Sequence, residues 1–393
     1  MNLYYEKGKK ILKELLDLNY QAFFVGGFVR DYLLKIKPND IDITTNALPD
    51  VVQKIFDKSK ATGLRYGTIS VFIGKDTFEI TTFRSDIKYI NHRKPENVEF
   101  SNSIQEDLKR RDFTINAFAM DYDGKIMDLF KGKQDLEDKL IRAIGEPDVR
   151  FNEDALRMLR AFRFVSKLGF DIEEKTFKSI QKNIALLKEI SNERILMELK
   201  KICAYPNSKK AIKLLEKSGI SNVFPEFKKA LDLIKNREKF SLNYLELFAL
   251  SFYLEGIDIP EHWRFSNKEK AIINKVIELV SVSENDKFNE MIIYRLGTDI
   301  PLMTNSVNTV INPDNNQESL ILKIDENLPI HRTCDLKFKG QDILELTTLK
   351  DAEIIGEIID EITYQVITDQ IKNDYEEIKK FTMKLMEHKY GKK

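Results

Sequence analysis

Asp40 and Asp42 flank Ile41 in the run KPNDIDITT, a short way downstream of the dipeptide Gly26-Gly27. In an extended segment successive side chains alternate, so both carboxylates point to one side and Ile41 to the other. Two like charges so close call for a cation. Mg²⁺ suits the pair, being a hard ion bound by one or two carboxylates together with substrate phosphates. Gly26-Gly27 lets backbone N–H groups approach an anion, and Arg30-Asp31 begin a helix whose N-terminus favours phosphate. No Gly-Lys-Ser/Thr follows, so this is not the lysine-bearing phosphate loop. Glu79, in DTFEITTFR, is expected in a strand among apolar residues where an unpaired acid is costly, and it is the candidate third carboxylate. Alone, Gly26-Gly27 reads as an ordinary turn and Asp40/Asp42 as a solvated one; together they favour phosphate chemistry.

Two more motifs follow in order, RRDFTINA at residues 110–117 and EDALRMLRAFRF at 153–164. With GGFVRD and DID, they make the chain resemble the nucleotidyltransferase superfamily, specifically its class II tRNA nucleotidyltransferase (CCA-adding) and bacterial poly(A) polymerase branch. FKGQDILEL and IIGEIIDEITYQVITDQIKN look like the tail of the Bacillus-type members, so the resemblance covers most of the chain. It implies that Asp40 and Asp42 bind catalytic Mg²⁺ with Glu79 beside them. It also implies a nucleotide site made of Gly26, Gly27, Arg30, Arg111, Asp112, Asn116, Asp154, Arg157, Arg160 and Arg163. The implied reaction is template-independent addition of C, C and A to the tRNA 3′ end from CTP and ATP, by a two-metal scheme with release of pyrophosphate. RSDIKYINHRKPENVEF resembles the family's flexible loop, with Tyr89, Arg93 and Pro95 in place and Asn91-His92 replacing a more usual Asp-Gly. The loop is undeleted, which argues against the CC-only variants. The alternatives are a CC-adding or A-adding partial enzyme, a poly(A) polymerase, or a noncatalytic RNA-binding protein on the same fold. His92, His262, His331 and His388 are never followed by Asp, which argues against an appended histidine-aspartate phosphohydrolase.

Beside the resemblance, the residue chemistry of EDALRMLRAFRF stands by itself. On one continuous helix Arg157, Arg160 and Arg163 fall within an arc of about 120°, with Asp154 about 60° beyond Arg157. Met158, Leu159, Phe162 and Val165 take much of the other side. Cytosine and adenine both present an exocyclic amine next to a ring-nitrogen acceptor, whereas uracil and guanine present a carbonyl there. A fixed carboxylate that accepts from the amine, with a guanidinium that donates to the ring nitrogen, selects CTP and ATP together. An amphipathic helix with solvated arginines is the plain alternative, and it gives no reason for Glu153-Asp154. Arg110, Arg111 and Asp112 read equally as a structural ion pair.

These residues need elements to hold them. Ile11, Leu12, Leu15 and Leu16 set a helix over residues 3–18, and short β-rich runs are expected at 22–25, 41–45, 68–73, 77–84 and 115–122. After Gly145-Glu146-Pro147 the periodicity is helical throughout. The expected class is α+β: a nucleotidyltransferase head with a mixed sheet at 1–145, then an all-α neck (146–202), body (203–320) and tail (321–393). The Asn/Asp/Pro cluster within 305–327 marks the boundary before the last unit. The chain has 393 residues, 42% hydrophobic and 32% charged, with 63 basic and 63 acidic side chains, so a polyanion must be held by a local patch. Residues 208–239 carry nine Lys or Arg against four acids, 341–377 carry two against eleven, and the last sixteen residues six against one. The first block is the candidate tRNA surface, the acidic one is expected to face away from RNA, and a solvated helix face is the plain reading of each. Cys203 and Cys334 lie far apart without ligand spacing, and no run of about 18 apolar residues occurs, so a cytoplasmic protein without membrane span is expected. The oligomeric state is left open, a homodimer included.

Overall fold

The short apolar runs near the N-terminus become neighbours in one mixed sheet. The computed structural model describes residues 3–38, 40–63, 66–88, 97–283, 287–346 and 352–389. The chain divides into two units, residues 1–231 with 262–264, and residues 232–261 with 265–393. The first unit opens with α1 (Leu3–Asp17), β1 (Ala22–Val25), α2 (Gly27–Leu33), β2 (Asp42–Thr45) and α3 (Pro49–Ile55). Then come β3 (Ser59–Gly63), β4 (Thr68–Ile73), β5 (Asp76–Thr82), the hairpin pair β6 (Arg84–Lys88) and β7 (Asn97–Phe100), and α4 (Ile104–Lys109). β8 (Phe118–Met120), β9 (Ile126–Asp128) and α5 (Gly132–Glu137) follow. Seven strands form one sheet in the order β3-β4-β5-β2-β1-β8-β9, with β2 and β5 parallel and the other neighbours antiparallel.

Burial explains why the sheet holds. Val25 and Ala119 pack with Phe83 and with Ile104 and Leu108 of α4. Near α1, Gly8 lies so close to Phe24 that an added Cβ would sit 2.8 Å from the ring. At two places the strands differ from the sequence expectation. The run 77–84 is not one strand, because Phe83 donates its N–H to Thr45 while its carbonyl turns to the N–H of Ser101, so the chain leaves the sheet and restarts as β6. Residues 114–116 form a short 3₁₀ turn, closed by Ala117 N–H to Thr114 and braced by the Thr114 hydroxyl on Asp135 at 2.6 Å. β3, β7 and β9 are not legible in advance: they are short, and β3 reads SKATG without alternation.

The rest of the first unit is helical apart from a two-residue parallel ladder between β10 (Leu140–Ile141) and β11 (Asp171–Ile172). Its helices are α6 (Pro147–Glu153), α7 (Leu156–Leu168), α8 (Glu174–Asn183), α9 (Asn192–Ala204) and α10 (Ser208–Lys217). The expectation that Asp154 shares one continuous helix with Arg157, Arg160 and Arg163 does not hold: the helix breaks at Asp154, which is extended (φ −143°) and accepts the N–H of Leu156 at 3.2 Å. A short carboxylate competes with the helical backbone for its own N–H groups and so starts a new helix.

Helix α11 (Lys228–Lys235) leads to the second unit, whose helices are α12 (Tyr244–Glu255), α13 (Asn267–Ser283), α14 (Glu290–Leu296), α15 (Asp299–Ile311), α16 (Glu318–Asn327), α17 (Gly340–Leu346), α18 (Ala352–Ile367) and α19 (Tyr375–Lys389). The periodicity break expected within 305–327 narrows to residues 312–317. Asn305 braces it by accepting the N–H of Gln317 at 2.7 Å. No described helix is long and apolar enough to cross a membrane.

Helix α12 is buried along its first two turns, and its cap carries a cost. Asn243 and Glu246 form a reciprocal capping box, and burial pushes the Glu246 carboxyl up to about 7, against the hydrogen bonds from Asn243 and Ser306. A raised carboxyl pKa means the folded state holds its proton longer. Stability therefore falls as pH rises from about 4.5 to about 7 and is level above that. Glu246→Gln keeps the acceptor of the cap and removes the charge. It is expected to stabilise the protein by up to about 2–3 kcal/mol at pH 8, with the gain vanishing near pH 4.5. Denaturant titrations at the two pH values check this.

Candidate active site

Strand β2 ends the search for the metal pair. Asp42 is its first residue and lies beside Glu79 of the parallel neighbour β5. Ile41 is buried while Asp40 is exposed and Asp42 half-buried, the alternation expected of the pair. Asp40 itself precedes the strand. One expectation about Glu79 is corrected: it is exposed, because Phe78 and Ile80 take the buried face of β5 and Glu79 the open one, so no desolvation cost drives it toward a partner.

Burial pushes the Asp42 carboxyl up to about 6; the positive Arg111 opposes the rise, while the charges of Glu79 and Asp40 add to it. Asp42 thus meets one cation, Arg111, and two further acids, Glu79 and Asp40. Among the described residues no group of three His, Cys, Asp or Glu side chains gathers to hold a metal ion. Two carboxylates suffice for Mg²⁺, which keeps waters and takes phosphate oxygens for its remaining positions. The donor set of Asp40 and Asp42 thus fits Mg²⁺, with Glu79 adding charge beside it.

A cavity of about 1100 Å³ opens in front of Asp42 and Glu79. Asp40 is not in its lining, but every predicted nucleotide-site residue is: Gly26, Gly27, Arg30, Arg111, Asp112, Asn116, Asp154, Arg157, Arg160 and Arg163. Gly26 has φ +65° and ψ −133°, a conformation natural to glycine, and caps α2. The buried Arg30 guanidinium donates to Asp31 at 2.7–2.8 Å and to Asn116 at 2.6 Å. Asn116 in turn donates to Asp112 at 3.0 Å, and Asp112 accepts from Arg160 of α7 at 2.7 Å. Asp112 is buried, which works to raise its pKa, yet Arg160 and the hydrogen bonds from Asn116, Arg160 and the Phe113 N–H hold it far below the usual carboxylate range. It is a fixed anion whose task is to orient Arg160.

The same arrangement repeats around the cavity. Arg110 and Arg111 both pair with the fully buried Asp107, at 2.6 and 2.9 Å. Arg163 pairs with Glu198 at 3.0 Å, and Lys167 reaches Asp31 at 3.1 Å. Arg157 donates to Glu153 at 2.5 Å and to the carbonyl of Arg110 at 2.8 Å, so its guanidinium is locked in place before any ligand arrives. Asp154 and Arg157 do not share one helix face, since Asp154 sits in the break before α7. Its carboxylate is instead gripped by Arg194 of α9 at 3.1 and 3.3 Å.

Arg194 and Glu198 were not legible as site residues. Within ERILMELKKI they look like the polar face of an amphipathic helix, and their i, i+4 spacing was the one signal available. Tyr89, Asn91, His92, Arg93 and Pro95 of the predicted flexible loop lie outside the described residues. In the basic block, Lys210 is tied to Asp171 at 2.7 Å and to the Gly169 carbonyl at 2.8 Å. Lys209, Lys213 and Lys217 recur every fourth residue along α10 and share one face.

A strand-borne acidic wall facing an arginine-lined cavity, with a Gly-Gly turn beside it, defines a nucleotidyltransferase. Comparison with known proteins agrees. The poly A polymerase head domain family matches residues 22–142, the RNA- and SrmB-binding site of polymerase A matches 169–231, and the tRNA nucleotidyltransferase domain 2 family matches 255–382. The chain is 37% identical over 385 residues to the CCA-adding enzyme of Lactobacillus helveticus, covering 95% of this chain and 96% of that one. It is 35% identical to that of Staphylococcus epidermidis, again over 95% and 96%. The crystal structure of the Bacillus stearothermophilus CCA-adding enzyme in complex with CTP superposes with a TM-score of 0.82 over all of both chains, at 31% identity. The chain belongs to the family of CCA-adding enzymes.

The Gly26 turn gives the first test of this geometry. A Cβ there would lie 3.1 Å from Nη1 of Arg111 and 3.6 Å from a carboxylate oxygen of Asp42. Gly26→Ala is expected to lower kcat/KM for CTP by roughly 10²-fold, as a misplacement of about 1 Å does, while the melting temperature falls by only a few degrees. Steady-state kinetics beside a thermal melt check both parts.

Proposed function

We propose that this chain adds C, C and A to the 3′ end of tRNA, taking CTP and ATP without a nucleic-acid template and releasing pyrophosphate, with the site residues acting as follows. One observation carries the reading: a single cavity is lined by Asp42 and Glu79 together with Arg30, Arg111, Arg160 and Arg163. A triphosphate needs both, cations along its length and an acidic metal site at the α-phosphorus. The Gly26-Gly27 turn, Arg30 and Arg111 receive phosphate oxygens from the head. Arg160 and Arg163 receive them from α7. The tRNA 3′-hydroxyl loses its proton to solvent as its oxygen forms the new bond to the α-phosphorus in line with the leaving group, the bond to the bridging oxygen breaks, and pyrophosphate departs. Asp40 and Asp42 would hold Mg²⁺, which would supply Lewis-acid polarisation of the reacting oxygens, with a second Mg²⁺ assisting pyrophosphate departure in the two-metal scheme.

Base choice falls to Asp154 and Arg157. Arg194 holds the Asp154 carboxylate and Glu153 holds the Arg157 guanidinium. Both are therefore pre-oriented to accept from the exocyclic amine and donate to the ring nitrogen of cytosine or adenine. We divide the chain functionally into head (1–145), neck (146–202), body (203–320) and tail (321–393), the last two holding tRNA by phosphate contacts in a cytoplasmic enzyme. On α10 the face bearing Lys209, Lys213 and Lys217 suits that contact. Offering tRNAs that end before the first C, the second C or the A, with each NTP separately, and sequencing the ends separates full CCA addition from CC-only, A-only and poly(A) activity.

Asp40→Ala and Asp42→Ala are each expected to cut incorporation by at least about 10³-fold while tRNA affinity stays within a few-fold, since the metal pair and the backbone contacts use different surfaces. Filter binding and single-turnover incorporation on one preparation check this; turnover near that of the native protein would remove the metal assignment. Asp154→Ala is expected to change base choice. Without the carboxylate the carbonyl of UTP no longer meets a repelling acceptor, so the CTP to UTP ratio of kcat/KM should fall by roughly 10²-fold or more. Uniform loss with every nucleotide would show that Asp154 serves only to seat Arg194.

A further inference from the structure

Phe164 is a residue of the cavity wall to which the reaction gives no role. It is 5% exposed, it lines the cavity, and it sits in α7 one turn beyond Arg160 and next to Arg163. Three guanidinium groups surround its ring: Arg163 at 5.0 Å from the ring centre, Arg30 at 5.3 Å and Arg160 at 5.7 Å. Each lies within the distance at which a cation is attracted by an aromatic face. The ring is itself held, because Phe113 meets it edge-on at 5.7 Å with planes at 83°. Phe113 follows Asp112 and donates its N–H to that carboxylate, so ring and ion pair belong to one rigid assembly.

Three like charges around one point repel one another. Asp31, Asp112 and Glu198 each pair with one guanidinium and offset part of this repulsion, but none of them touches all three. Repulsion is visible at Arg163, whose pKa is lowered by burial and then by the charge of Arg160. A leucine of similar burial would fill the space and leave the repulsion. An aromatic ring attracts all three through its electron-rich faces and accepts no proton.

We propose that Phe164 is a positioning residue for the polyphosphate: its ring holds Arg30, Arg160 and Arg163 at a common spacing that receives phosphate oxygens. The proposal rests on the reading that these arginines meet the triphosphate. It assigns the ring no contact with the nucleotide. Its effect therefore grows with the number of phosphates and follows the electron density of the ring, not its shape.

The test uses the full chain with phenylalanine at 164 replaced by its 4-fluoro, 3,5-difluoro and 3,4,5-trifluoro analogues, which keep ring size and withdraw electron density stepwise. Dissociation constants for CMP, CDP and CTP are measured by calorimetry at fixed salt. CTP affinity is expected to fall in steps along the series, reaching roughly tenfold at trifluoro, while CMP changes by less than about twofold. Phe164→Leu, checked by circular dichroism and melting, should resemble or exceed the trifluoro protein toward CTP. An unchanged CTP affinity across the series, or an equal loss for CMP and CTP, overturns the proposal. Arg163→Gln with the native ring tests the underlying reading. If it leaves the gain from CMP to CTP intact, the phosphate assignment fails and the ring proposal with it; if it removes the gain while fluorination does not, the ring proposal alone fails.

Discussion

A cavity that binds a polyanion must collect positive charge before the anion arrives, and like charges in a poorly solvated wall repel. The fold meets this constraint by giving the arginines at the cavity fixed carboxylate partners. Asp107 holds Arg110 and Arg111, Asp112 holds Arg160, Asp31 holds Arg30, and Glu198 holds Arg163. Buried ion pairs of this kind are weak evidence for stability, because desolvation of both partners offsets their attraction. Their value here is orientation. A guanidinium already fixed by hydrogen bonds loses little freedom when a phosphate binds, and preorganised charge is the main means by which a protein stabilises phosphoryl transfer.

Two aspartates show how environment divides labour within one site. Asp112 is buried among donors and cations and is held well below the usual carboxylate range, so it stays an anion and serves as a fixture. Asp42 is half-buried, and burial first, then the charges of Glu79 and Asp40 against that of Arg111, push it up to about 6. The first has all the positive charge it needs. The second meets one cation, Arg111, and two acids, a setting that a divalent cation would relieve.

The two ends of the site are carried by different kinds of element. Asp42 and Glu79 sit on adjacent parallel strands, whose spacing is fixed by ladder hydrogen bonds. Asp154 sits in a helix break, and its position depends on the side chain of Arg194 from another helix. Of the candidate metal-site acids, Asp42 and Glu79 are thus placed on the sheet. The candidate base-reading carboxylate is placed between helices, where side-chain pairing holds it.

The sequence by itself determined the set of candidate site residues. The spacing in DID, the Gly-Gly turn before Arg30, and the three-residue steps among Arg157, Arg160 and Arg163 are local, and local spacing translates directly into strand and helix faces. The helix 3–18 and the strand 22–25 were legible for the same reason. What only the tertiary structure decided are the long-range partners: Arg194 on Asp154, Glu198 on Arg163, Asn116 bridging Arg30 to Asp112, and three guanidiniums gathered on Phe164. It also decided that Glu79 is exposed and that Asp154 ends a helix. Periodicity says which side a residue faces but not what stands opposite, and pairing across 30 to 136 residues of chain, as from Asp31 to Lys167, is set by how helices pack on the sheet.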